Sequence, residues 1–404
     1  MGESETAAVG GNATTRHLEA EVLDRYARGA ERVEPALCCP IEGYDPAALA
    51  LLPREIIEKD YGCGDPSRWA REGETVLDLG SGGGKVCYIL SLKVGPSGRV
   101  IGVDFNDAML ALARKYQGEM ALRLGHDNVR FVKGRIQDLA LDLDALDRYL
   151  AAHPVRSASD MLRLENESER LRRERPLIGS DSIDLVVSNC VLNLVKTEQK
   201  RRLFDEIFRV LRRGGRAVIS DIVCDEPPTD RIMNDPELWS GCIAGVFVEH
   251  EFLEMFERAG FHGVEILARS PEPWRVIDGV EFRAMTVRAY KGKQGPCMDH
   301  GQAVVYRGPW KYVTDDDGHT YFRGRRMAVC EKTFHLLTDA AGPYGPTMIG
   351  LQPRVPIDAA NARPFDCRDN AVRDPRTMKG ATYHETRRAD GDNCCTPGGE
   401  GPCC

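Results

Sequence analysis

Cysteine is the residue type with the most chemistry on offer in this chain. Fourteen occur among 404 residues. No two are spaced C-x-x-C, which argues against the usual zinc and thioredoxin-type motifs. They stand singly or as the vicinal pairs Cys38–Cys39, Cys394–Cys395 and Cys403–Cys404. Cys87, Cys224 and Cys330 fall in helix- or strand-like contexts and read as small buried hydrophobes. Three others differ. Cys63 lies between glycines in "YGCG", a loop context that should expose it. Cys190 follows Asn189 at the end of the apolar run "IDLVVSN", where open α/β sheets present side chains to ligands. Cys242 sits in the Gly-rich "WSGCIAG". Thiolates brought from three segments to one rim of a sheet suit a soft, three-coordinate, thiophilic centre.

A second constellation is the glycine loop "VLDLGSGGGK", with Asp78, Gly80, Ser81, Gly82, Gly83 and Gly84 directly after a strand. A dinucleotide fingerprint needs G-x-G-x-x-G. From Gly80 the last position is Lys85 and from Gly82 it is Cys87, so both registers fail. Asp78, Gly80, Gly82 and Gly84 instead meet D-x-G-x-G-x-G, which resembles the first motif of class I S-adenosylmethionine methyltransferases. Glycines are required there because a Cβ would block the backbone's approach to the ligand. Asp104 ends the next strand, "VIGVDF", where a carboxylate can accept hydrogen bonds from both ribose hydroxyls. Arg135, Ile136 and Gln137 in "KGRIQDL" either flank an adenine or form a plain connecting loop.

Methyl transfer to oxygen usually needs a base or a metal, because a hydroxyl must lose its proton. Transfer to amides often uses a Pro-rich aromatic motif after the fourth strand, and Asn189-Cys190 stands there instead. Trivalent arsenic fits the three thiols chemically. It exchanges small ligands for sulfur and keeps a lone pair that can attack a sulfonium methyl with no proton to remove. The protein's task would then be to aim arsenic at the methyl carbon.

The elements that must position these groups alternate between residues 75 and 225. "TVLDLG", "RVIGVDF", "VRFVKG", "IDLVVSN" and "RAVISDI" read as strands, with amphipathic stretches between them. The expectation is an α/β Rossmann-like domain with a mostly parallel sheet. Residues 1–35 read as a flexible extension containing a helix, "HLEAEVLDRYARGAER". Residues 36–225 would form the methyltransferase domain, broken at about 140–180 by a helical insert. Ser159 or Asp160 would cap that insert, with Met161, Leu164 and Leu171 on one face. Residues 226–292 would carry the third thiol and the closing strands, 293–355 a small α+β domain, and 356–404 a Cys-containing tail.

Composition bounds the partners. Net charge is −8 with 29% charged residues, which argues against nucleic acid. No apolar run reaches the length of a membrane span. The start "MGESETAAVGGNATTR" has no apolar h-region, so a cytoplasmic monomer with reduced thiols is the expectation.

"YGCG", "LDLGSGGGKVCYILS", "VVSNCVLNLV", "FRVLRRGGRAVISDI" and "WSGCIAG" together resemble the arsenite S-adenosylmethionine methyltransferases. The resemblance implies that Cys63, Cys190 and Cys242 bind arsenic, supplied as arsenite or its thiol conjugates. It implies that Tyr61 lies near the cofactor, with Asn189 beside it, and that Cys38 or Cys39 is a redox partner of Cys63. Thioredoxin or glutathione would reset the resulting disulfide. Val280 stands where some members carry a cysteine. Selenite, tellurite and antimonite are chemically nearby substrates. The rivals are a methyltransferase acting on carbon in a quinone-like molecule and a non-catalytic thiol-rich metalloid-binding protein. The vicinal tail pairs either hand arsenic to the core or are incidental.

Overall fold

The computed structural model describes residues 15–34 and 43–379. The chain divides into two compact units, Met1–Gly292 and Lys293–Cys404.

In the first unit the strands are β1 (Thr75–Leu79), β2 (Arg99–Asp104), β3 (Val129–Lys133), β4 (Ile183–Asn189), β5 (Leu211–Cys224), β6 (Phe247–Val248), β7 (His262–Arg269), β8 (Arg275–Ile277) and β9 (Val280–Tyr290). The main path runs β3-β2-β1-β4-β5-β9-β7. The strands from β3 to β5 are parallel, and β9 and β7 close the sheet antiparallel. The central strands are apolar on both faces because both faces are covered. Leu77, Leu79, Val186 and Ile219 face one core, completed by Leu203, Phe204, Phe252 and Phe256. Val76, Leu185, Val187 and Val218 face the other, completed by Val86, Tyr88, Leu90 and Leu110. This is the α/β class expected, a mixed sheet with mostly parallel strands.

The helices are α1 (Thr15–Glu31), α2 (Pro46–Ala50), α3 (Arg54–Glu58), α4 (Lys85–Val94), α5 (Asp107–Lys115), α6 (Gln117–Leu124), α7 (Leu143–Ala152), α8 (Ala158–Glu174), α9 (Lys200–Val210), α10 (Asp230–Met233), α11 (Pro236–Ser240) and α12 (Glu249–Arg258). The helix expected within the N-terminal extension is α1, and it packs on the domain. Arg25 donates to Ser240 Oγ at 2.7 Å and to Glu237 O at 2.9 Å, and the side chain of Asn106 donates to Leu23 O. The insert is α7 and α8. Its cap is Ser157, not Ser159 or Asp160, and Met161 is exposed while Leu171 is buried. Arg172 of α8 pairs with the buried Asp138 at 2.8 Å and ties the insert to the domain. The segment "RRGG" lies within β5, where the pairing register with β4 shifts after Ile183.

The second unit has β10 (Met298–Asp299), β11 (Ala303–Tyr306), β12 (Tyr312–Thr314), β13 (Thr320–Phe322), β14 (Arg326–Ala328), α13 (Glu331–Thr338), β15 (Met348–Leu351), β16 (Arg363–Pro364) and α14 (Pro375–Lys379). Its sheets are small: β14-β11-β15, β10-β16 and β12-β13. Regular structure therefore continues past residue 355, where a tail was expected, because β16 pairs back onto β10. Among the described residues no helix is long and apolar enough to cross a membrane.

Candidate active site

The sheet order reverses at β1, with β2 on one side and β4 on the other. The carboxyl ends of these strands splay apart there and leave room for a ligand. They open onto a cavity with about 1160 Å³ of free space including its mouth. Asp78, Gly80, Ser81 and Gly82 of the glycine loop line it, as do Asp104, Arg135, Ile136, Gln137, Tyr61 and Asn189. Gly84 does not: it caps α4, packed against Phe131, and acts behind the loop.

The cavity fits adenosylmethionine on three observations. Gly82 has φ +49°, and a Cβ built on it meets nothing within 4 Å, so that side of the loop faces open space. Ser81 Oγ is buried in the wall without a hydrogen-bond partner, a polar atom left for a ligand. Asp104 ends β2 with its carboxylate fixed by Gly82 N–H at 2.9 Å and Asn106 N–H at 2.8 Å. Burial raises its pKa against these donors. Phe105 N–H also bonds the carboxylate, whose remaining acceptor capacity is left for a ribose hydroxyl. Asp78 lies deeper. Burial pushes it up to about 7, while the Cys87 thiol donating to it at 3.2 Å pulls the other way. Cys87 is therefore buried as expected, and it also partners Asp78.

Beside this cavity the three singled-out cysteines come together. Cys63, Cys190 and Cys242 share one buried cluster with Val22, Ile222, Leu238, Trp239 and Val280. Cys63 and Cys190 are joined by a disulfide, with Cα atoms 5.8 Å apart. Cys242 Sγ donates to Cys190 O at 3.1 Å and lies 3.7 Å from Tyr26 Oη. Cys190 and Cys242 both adopt positive φ, +59° and +62°. A residue with a Cβ pays roughly 1–2 kcal/mol for that conformation. Neighbouring bonds hold it. Cys190 N–H donates to Ser220 O, and Asn193 donates to Cys242 O and Ile222 O. Buried Asp221, pushed up to about 7 by burial, accepts Leu192 N–H in the same turn.

One expectation is corrected here. The glycines around Cys63 do not expose it, since Cys63 is 7% accessible. They let the loop press against the sheet: a Cβ on Gly62 would lie 2.0 Å from Asn189 Nδ2. In this structure the partner of Cys63 is Cys190, because both sit at the same rim; Cys38 and Cys39 lie outside the described residues. The role expected of Asn189 also widens. It lines the cavity, but its side chain mainly clasps the Cys63 loop, accepting from Cys63 N and Gly64 N and donating to Gly64 O.

Glu19, Val22 and Tyr26 of α1 also line the cavity, and sequence reasoning missed them. An amphipathic helix announces that it docks, and nothing in its pattern says where. Tyr61 holds α1 in place, donating to Gly29 O at 3.0 Å and stacking edge-on to Tyr26.

A methyltransferase domain model matches residues 70–260, and a model described as a domain of unknown function (DUF8838) matches residues 293–383. The arsenite methyltransferase of Aquipseudomonas alcaligenes is 30% identical over 324 residues, covering 76% of this chain and 83% of that protein. The arsenite methyltransferase of Homo sapiens is 28% identical over 317 residues, covering 74% of each. The crystal structure of an arsenic(III) S-adenosylmethionine methyltransferase from Chlamydomonas reinhardtii superposes with a TM-score of 0.52 at 27% identity, covering 82% of this chain and 99% of that one. With the glycine loop, the aspartate at the end of β2 and three cysteines gathered beside them, the chain belongs to the arsenite methyltransferase family.

Proposed function

We propose that this protein methylates trivalent arsenic held by Cys63, Cys190 and Cys242. The observation that supports it most directly is the gathering of these three residues in one buried cluster, with Cys190 also lining the cavity. Gly80, Ser81, Gly82 and Asp104 would hold S-adenosylmethionine, with Arg135 and Ile136 toward its adenine. When bound, it supplies an electrophilic sulfonium methyl for the arsenic lone pair. No base is required of the protein at that step, and the chain's contribution is aim. The Asn189 clasp and the left-handed turns at Cys190 and Cys242 fix where the sulfurs stand.

The methylated arsenic would be pentavalent. Returning it to the trivalent state takes two electrons, which two of the three arsenic-bound sulfurs would supply by leaving arsenic joined to each other as a disulfide; water would take a vacated position on arsenic and lose a proton. The Cys63–Cys190 bond is a disulfide of that kind, and in this state three thiolates are not available together. Two external thiols, from thioredoxin or glutathione, would exchange with it and reset the site. Cys38 or Cys39 would relay the exchange through Cys63. Such a cycle belongs in a reducing compartment, as proposed for a cytoplasmic monomer.

The test incubates the purified protein with adenosylmethionine, a thiol reductant and arsenite, and then separates the arsenic species by chromatography. Methylated arsenic is expected from the wild type, and none above background from Cys63→Ser, Cys190→Ser or Cys242→Ser. Full activity in Cys190→Ser would defeat the proposal.

A further inference from the structure

Cys330, read from its sequence context as a buried hydrophobe, has company. Its thiol and those of Cys297 and Cys367 all lie within 4.8 Å of one another. None of the three is in a disulfide. They come from three separate places in the second unit. Cys297 immediately precedes β10, Cys330 caps the N-terminus of α13, and Cys367 follows β16. The pairing of β10 with β16, extended by Phe365 N–H donating to Cys297 O at 2.9 Å, brings the outer two together. α13 delivers the third. The helix points its N-terminus at Cys330, with Thr333 N–H 3.4 Å and Thr333 Oγ1 3.2 Å from the sulfur.

We propose that Cys297, Cys330 and Cys367 form a second trithiolate site, separate from the methylation centre, that holds one thiophilic ion, zinc or trivalent arsenic. Three sulfurs on a common ion at ~2.3 Å each stand ~3.5–4 Å apart, a spacing reached by small side-chain shifts from the one present. No other Cys, His or carboxylate joins the group among the described residues. That number suits trivalent arsenic outright, and zinc with one position left for another ligand. A small cavity lined by Cys330, Thr333 and Cys367 adjoins the sulfurs. The unit also has reason to want a staple. Its hydrophobic core is eight buried residues under sheets of two and three strands, and cores of that size are often supported by metals or cross-links.

The inference does not rest on the reading of the methylation centre, and its test keeps the two apart. Reduced full-length protein is incubated in one arm with zinc chloride and in the other with arsenite. It is then desalted and weighed by native mass spectrometry, and the bound ion is examined by X-ray absorption. The comparison is Cys297→Ala/Cys367→Ala, whose two side chains are only half-buried and whose loss should leave the fold intact. Circular dichroism checks that. In at least one arm the wild type should hold one more equivalent than the variant, in a shell of three sulfurs. The arm that shows the difference names the ion. Methylation by the reduced variant should stay within about twofold of wild type, since neither residue belongs to the methylation centre. Equal stoichiometry of wild type and variant in both arms would overturn the proposal. So would a Cys297–Cys367 disulfide that persists in the reduced protein.

Discussion

Asn189 Oδ1 accepts the backbone N–H of Cys63 at 2.8 Å and that of Gly64 at 3.0 Å, while its Nδ2 donates to Gly64 O at 2.8 Å. One side chain at the end of β4 thus holds the loop that carries a cysteine 126 positions away in sequence. The next residue, Cys190, is the one that loop must meet. Asn189→Ala should lower stability by roughly 1–3 kcal/mol, because two part-buried N–H groups lose their acceptor. It should lower arsenite methylation by roughly 100-fold through misplacement of Cys63, with adenosylmethionine affinity much less affected. Asn189→Asp keeps the acceptor and should recover part of the loss. Steady-state kinetics and denaturant unfolding of both variants check this, and an Asn189→Ala enzyme with unchanged kcat and KM for arsenite would refute it.

The Cys63–Cys190 disulfide makes a prediction about the first turnover. Protein isolated without reductant should give no methylated arsenic, even though arsenite is already trivalent. The same protein reduced and then desalted should give a burst of about one equivalent before it stops. Rapid quench followed by arsenic speciation measures both. A full burst from the unreduced protein would show that the disulfide does not gate arsenic binding.

Asp104 is held by Gly82 and Asn106 so that its free lone pairs face the cavity. Asp104→Ala should weaken adenosylmethionine binding by roughly 10–100-fold, the value of hydrogen bonds to a charged acceptor. Ser81→Ala should cost less, since it removes one neutral partner. Calorimetric titration of the cofactor into each variant decides, and equal affinities would remove Asp104 from the site.

Asp78 supplies a pH test. Burial raises it to about 7, above its ordinary value near 4. Between those values the native state holds more protons than the unfolded chain, so stability falls as pH rises through that window and is flat outside it. Asp78→Asn carries no titrating proton there. The stability of ligand-free wild type relative to this variant should fall by ~2–4 kcal/mol between about pH 4 and about pH 7. Urea unfolding across that range measures it, and a difference independent of pH would show that Asp78 is ionised throughout.

Much of the site could be read in order along the chain. The glycine loop, the aspartate ending β2 and the cysteine after β4 occupy fixed offsets within strand-turn-helix units, so local sequence determined both their type and their place. Runs of apolar residues two and three deep determined a sheet covered on both faces. Local pattern misled where a residue's role depends on what is distant. Cys63 looked exposed between its glycines, and it is buried because those glycines let the loop close against Asn189. Cys330 looked like filler, and it stands beside Cys297 and Cys367. The helix α1 was legible as a helix, while its seat against the cavity was not.

The sequence by itself determined which segments are strands, which turn can approach a ligand and which sulfurs exist. These follow from backbone sterics and side-chain burial over a few residues. Only the tertiary structure decided which sulfurs meet. Cys63 with Cys190, Cys242 with the Cys190 carbonyl, and the three thiols of the second unit are set by strand order and loop closure. The encounter of groups tens to hundreds of residues apart depends on the packing of everything between them, and no local spacing encodes it.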